Sequence, residues 1–182
     1  MSATTTALPT GTWNIDPSHS RVGFRVKHLG ISTVRGEFGE YEGQLVITED
    51  GDVAAKGSVK TASITTSDAD RDAHLTAPDF CDIETHPEIT FQSTSITAVD
   101  DDTYEIAGDL TLHGVTKPVT LKAEVGGSDT DLYGNLRVGL EATGEISRGD
   151  YGMKFNMALG SGNLAVSNKV KLDLDISAVT AS

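Results

Sequence analysis

Cysteine is nearly absent from this chain: its 182 residues contain one, Cys81. A single cysteine forms no intramolecular disulfide, so the fold does not depend on an oxidising compartment. Basic residues are scarce as well, 14 Lys and Arg against 27 Asp and Glu, for a formal net charge of -13. Such a surface repels phosphate backbones and anionic head groups over a Debye length. Nucleic acid is therefore not an expected partner, nor is electrostatic docking on an anionic membrane. No apolar run approaches the roughly 18 residues of a spanning helix, so stable membrane insertion is not expected. The opening MSATTTALPTGTW has no basic and no apolar signal-peptide region, which sets the expectation of a cytoplasmic protein. Helical periodicity is missing too. No 3.6-residue pattern lasts three turns, and that excludes βαβ units.

What the chain does have is period two. RVGFRVKH (21–28) places Val22, Phe24, Val26 and His28 on one face. The same alternation runs through YEGQLVI (41–47), VAAKGSVK (53–60) and, more weakly, EITFQSTSI (88–96). It is cleaner in YEIAGDLTL (104–112), VTLKAEV (119–125), LRVGLEATGEI (136–146) and VSNKVKLDLDI (166–176). Turn-rich connections such as TEDGD and GGSDTDLYGN join these segments. One-sided alternation belongs to antiparallel sheets with one wet face. About eight short strands with regular turns mean a sandwich or a barrel. Small residues at inward positions, among them Gly43, Ala55, Gly57, Gly108, Ala123, Ala142 and Gly144, leave space inside. They favour a closed barrel with room for a slender ligand. The expectation is an all-β, eight-stranded antiparallel barrel in a single domain over residues 12–178, after a disordered tail over 1–11. Its interior would be lined by Phe24, Val26, Phe38, Phe91, Leu110, Leu112, Leu121, Leu140 and Leu172.

The stretch DRDAHLTAPDFCDIETHPEITF (70–91) holds His74, Cys81 and His86 among several acids. Structural zinc uses paired ligands such as C-x-x-C, and these spacings match no such pair. A Cys–His nucleophile is disfavoured because nearby carboxylates raise a thiol pKa. Neither a metal nor a catalytic residue is expected here. Ser67 or Asp68 caps a short helix from Ala69 to Leu75, and Pro78 and Pro87 interrupt the chain beyond it. Leu75, Phe80, Cys81 and Ile83 then read as apolar teeth against a barrel mouth, with Arg71 paired to Asp68, Asp72 or Asp79. DPSHS (16–20) carries Asp16, His19 and Ser20, the ingredients of a triad, but reads better as an Asp-Pro turn before a strand. His28 falls on the inward face, either bonded to a backbone carbonyl or marking a polar spot in the cavity. Arg148 follows a strand and either neutralises an anionic head group at the rim or pairs with Asp150.

Four segments in order, WNIDPSHSRVGFRVKHLGISTVRGEF, DADRDAHLTAPDFCDIETHPEITF, GDLTLHGVTKPVTL and SRGDYGMKF, resemble the YceI-like, polyisoprenoid-binding family. The resemblance spans residues 12 to about 177. It implies a lipocalin-like barrel around an elongated apolar pocket, a helical lid over residues 70–91, an isoprenoid or related fatty lipid as ligand, and a homodimer as a plausible assembly. Members commonly carry a second aromatic where this chain has Cys81, and Phe where it has Tyr151, which adds a hydroxyl near the pocket. The ligand-binding set is then Phe24, Val26, His28, Phe38, His74, Leu75, Phe80, Phe91, Leu110, Leu112, Leu121, Leu140, Arg148, Tyr151, Phe155 and Leu172, with no cofactor. The expected function is a lipid carrier that holds a polyprenyl, quinone or fatty chain. One alternative is a lipid or polyketide cyclase or isomerase, with His28 or His74 as its acid or base. The other is a stress or assembly factor with a vestigial pocket.

Overall fold

The computed structural model describes residues 9–162 and 164–181. The tail expected over 1–11 falls mostly outside them. The alternating segments are strands β1 (Gly11–Ile15), β2 (Arg21–His28), β3 (Ser32–Phe38), β4 (Tyr41–Ile47), β5 (Val53–Lys60), β6 (Ile64–Thr65), β7 (Glu88–Ala98), β8 (Thr103–Leu112), β9 (Val115–Thr130), β10 (Leu136–Ser147) and β11 (Val166–Thr180). The one α-helix among the described residues, α1, spans Ala69–Thr76.

Three of the barrel strands are broken in two. β1 and β2 both pair with β11, through Ile15↔Ala178 and Val22↔Leu174. β3 and β4 lie opposite them, through Val22↔Phe38 and Trp13↔Leu45. β5 and β6 continue the series against β4 and β3. Counting each broken pair as one strand gives an eight-stranded closed antiparallel barrel. Every strand neighbours the next in sequence, and β11 closes back onto β1 and β2. β1 and β3 were not legible in the sequence. β3 places Gly36 where a larger inward residue would mark a strand, because the Phe24 ring lies over that glycine.

The first break is chemical in origin. Pro17 starts a 3-10 turn, Pro17–His19, and Asp16 caps it by accepting hydrogen bonds from the Ser18 amide and hydroxyl. The same carboxylate contacts His19 Nδ1 at 2.7 Å and accepts from Arg137 at 2.7 Å. Arg137 also donates to Asp131 in the β9–β10 turn. Asp16 and Arg137 thus join the β1–β2 turn to the β9–β10 hairpin.

The barrel has two different ends. At one end Trp13, Ile47, Val138 and Ala178 form a plug with Leu45 and Leu136 packed on it. Trp13 is fully buried and its indole N–H donates to the Pro9 carbonyl. At the other end, Ile64, Cys81, Leu110, Leu112, Ile146, Tyr151 and Met153 form a second cluster beneath α1 and the strap after it. α1 is capped by Asp68, whose carboxylate accepts from the Arg71 amide. The Arg71 side chain does not pair with Asp68, Asp72 or Asp79. It donates to the Thr66 hydroxyl and carbonyl instead, while Asp72 accepts from the Thr66 amide and hydroxyl. A backbone carbonyl at the helix entrance lies within the fork's reach and takes the guanidinium from those acids.

Candidate functional site

The interior between the two end clusters is a cavity of about 340 Å³. That lies within the roughly 300–1,000 Å³ of ordinary small-molecule sites. Phe24, Val26, Phe38, Phe91, Leu110, Leu112, Leu121, Leu140 and Leu172 all line it. Ile15, Ile64 and Met153 add to the lining and were not anticipated. Ile15 shows its parity only once β1 is recognised, whereas Ile64 sits in the two-residue β6 and Met153 in an irregular segment, too short or too irregular to show a period.

The small inward residues divide into two kinds. At Gly36 the Phe24 ring fills the missing side chain's place, and at Gly108 the Phe91 ring does so. Those glycines make room for a neighbour's ring rather than for a ligand. Ala55, Gly57 and Ala142 do face the cavity. Gly43, which pairs with Gly57, belongs to the first kind, since the Ile15 side chain fills its place.

The lid also contributes. Leu75 from α1, with Phe80 and Cys81 from the strap, lines the cavity. The Phe80 ring meets Phe155 at 5.3 Å and His74 at 5.0 Å, both edge to face. His74 and Phe155 themselves stand outside the lining. His74 turns its ring nitrogen to Asp79 at 3.0 Å and remains half-exposed. These three rings cap the mouth.

Arg148 is 5 % exposed and lines the cavity beneath this cap. It does not pair with Asp150. Its Nε donates to the Ser167 carbonyl, and its two terminal nitrogens donate to Met153 and Val166 carbonyls. The guanidinium also lies over Phe80, 5.8 Å from the ring centre. Among the described residues no carboxylate is within ion-pair distance of it. Desolvation pushes its pKa down from the usual guanidinium value. With five N–H donors and three carbonyls engaged, the fork keeps donors for another acceptor.

Two further expected residues lie elsewhere. His28 is exposed at the end of β2, since the inward parity stops at Val26 where the chain leaves the bore for its turn. Tyr151 is buried in the mouth-end core rather than along the cavity, because it is drawn under the chain by the reversal at Gly152. Cys81 carries no sign of activation: burial pushes its thiol up to about 11. Asp16, His19 and Ser20 form no relay either: Ser20 donates to the Ser177 carbonyl, and the neighbours of His19 are Asp16 and Ser18. Both neighbours meet the same ring nitrogen of His19, whereas a relay needs the two nitrogens on opposite partners.

This geometry has known counterparts. The family model described as YceI-like domain matches residues 13–178. Protein YceI of Escherichia coli is 41% identical over 145 residues, covering 79% of this chain and 75% of that protein. The crystal structure of the Campylobacter jejuni YCEI protein superposes with a TM-score of 0.74 at 28% identity, covering 92% of this chain and 96% of that one. A polyisoprenoid binding domain from Saccharophagus degradans shares the fold, with a TM-score of 0.66 at 16% identity over 93% of this chain and 98% of that one. The barrel, its lid and a family match over nearly the whole chain lead to one conclusion: this chain belongs to the YceI-like family.

Proposed function

We propose that the barrel binds and carries a single long isoprenoid or related fatty chain, with the chain in the bore and the head group under the aromatic cap. The observation that carries this reading is the continuous apolar lining of the 340 Å³ cavity. Burying each CH₂ there is worth about 0.8 kcal/mol, so a few isoprene units offset the cost of ordering the ligand. The polyisoprenoid binding domain from Saccharophagus degradans has the same fold and supports the same ligand class. Arg148 supports an acceptor at the head of the chain, such as a phosphate, carboxylate or quinone oxygen, because this buried cation lies among the lining residues without a carboxylate partner.

Carriage, rather than turnover, fits the lining. The imidazoles proposed as acid or base in the enzymatic alternative, His28 and His74, both stand outside the cavity. The test is native mass spectrometry of protein purified without detergent or organic solvent. A retained mass that extracts into organic solvent as a polyprenyl or fatty lipid supports the carrier. Protein that emerges empty and stays empty when incubated with polyprenyl phosphate or quinone contradicts it.

A further inference from the structure

We propose that Asp82, His86 and His113 form a binding site for one divalent transition-metal ion of the zinc class, at the mouth end of the barrel and outside the cavity. The donor atoms of these three half-buried side chains all lie within 4.8 Å of one another. The residues come from two separate segments: Asp82 and His86 from the strap after α1, His113 from the β8–β9 turn.

Each side chain is held in place by its backbone. His113 and Gly114 have φ of 54° and 73°, the paired left-handed residues of a two-residue hairpin turn. His113 Nδ1 lies 2.8 Å from the Tyr151 carbonyl oxygen. A carbonyl only accepts, so Nδ1 carries the proton and Nε2 offers its lone pair. A second bond of this kind is what orients a metal-binding imidazole. The carbonyl of Asp82 accepts from the amides of Thr85 and His86, folding the strap into a turn that returns His86 toward the Asp82 side chain. The His86 ring rests directly on Gly114, where a Cβ would come within 2.7 Å of its Cε1. The two imidazole rings then sit 4.7 Å apart. Asp82 forms no ion pair among the described residues.

Two imidazole nitrogens and one carboxylate oxygen make a borderline donor set that suits zinc-class ions and leaves a fourth position for water. Calcium and magnesium prefer all-oxygen shells. With bonds of about 2.0–2.1 Å, tetrahedral ligands stand roughly 3.3 Å apart, so side-chain rotation of about 1.5 Å at most closes the site. The ion would fasten the strap to the β8–β9 turn. Phe80 and Cys81, on the same strap, line the cavity, so the metal would hold the lid down.

The experiment uses full-length protein without a histidine tag, stripped with EDTA and titrated calorimetrically with Zn²⁺, with Co²⁺ absorption as a second readout. The variants are Asp82→Asn, His86→Gln and His113→Asn. Asn tolerates the left-handed backbone at positions 82 and 113, so the fold is kept while the ligand is removed. His19→Ala is the control. The expected result is one Zn²⁺ per chain, a Co²⁺ spectrum of tetrahedral intensity, and affinity lowered at least tenfold in each histidine variant but unchanged in the control. Circular dichroism on the same samples confirms the fold. Absence of saturable binding to the wild-type chain overturns the proposal, as does unchanged affinity in folded His86→Gln and His113→Asn.

Discussion

At the residue scale, Arg148 and Cys81 show how burial decides chemistry. Arg148 holds three carbonyls, two of them, Val166 and Ser167, at the start of β11. Its replacement by Met leaves those carbonyls without their charged donor. We expect a loss of about 3 kcal/mol in urea unfolding. Arg148→Lys should recover only part of that loss, since an ammonium cannot span the fork. Cys81 is the opposite case. Its thiol, raised to about 11 by burial, stays protonated at neutral pH and is a poor nucleophile. Alkylation of the folded protein at pH 8 should be far slower than after denaturation. Because the folded-state pKa is raised, the stability linked to the neutral thiol is complete below about pH 9 and is lost as pH rises through 11. Cys81→Ala should cost at most about 1–2 kcal/mol and leave ligand binding within a few-fold. The sequence assigns the inertness of Cys81 to its acidic neighbours, whereas in the structure burial is the cause. It does not show the partners of Arg148 or Arg71, because both bind backbone carbonyls, which every residue type carries.

At the element scale, the alternation in β2, β4, β5 and β7 to β11 was legible because one face of each strand is buried. The other members of the broken pairs, β1, β3 and β6, were not. β1 is five residues long, and the inward row of β3 contains Gly36 under the Phe24 ring, so neither shows a hydrophobic period. The His86–His113 approach was equally hidden, since it depends on how the strap folds over the hairpin. The turn after β1 carries its own prediction. Hydrogen bonds from the Asn135 amide and from Arg137 hold the Asp131 carboxyl down at about 2. Bonds from Ser18, His19 and Arg137 hold Asp16 lower still. Depressed carboxyl pKa values stabilise the fold above the unfolded value of about 4, and that contribution is lost as pH falls through 2. Thermal midpoints measured from pH 5 to pH 2 should therefore fall. Arg137→Met should fall less steeply over the same range, having already lost the shared cation. Equal slopes in the two proteins would mean that Arg137 does not link the two turns.

At the scale of the whole molecule, the barrel's purpose depends on space that remains after its side chains have packed. Gly108 is a poor place to block that space. The Phe91 ring lies over it, and a Cβ there would stand 2.6 Å from the Gln92 carbonyl, so any larger residue distorts the wall. Ala55 is the better position, because its side chain faces the cavity directly. Ala55→Trp should keep the circular dichroism of the wild type, at an overpacking cost of about 1–3 kcal/mol, while filling the bore. The most direct measurement is a titration of delipidated protein with polyprenyl phosphates of increasing length, for the wild type and for Ala55→Trp. We expect one ligand per chain and affinity that rises with each isoprene unit until the cavity is full. We also expect loss of that length dependence in the folded Ala55→Trp protein. Affinity that ignores chain length, or that survives unchanged in the filled barrel, would contradict the carrier reading.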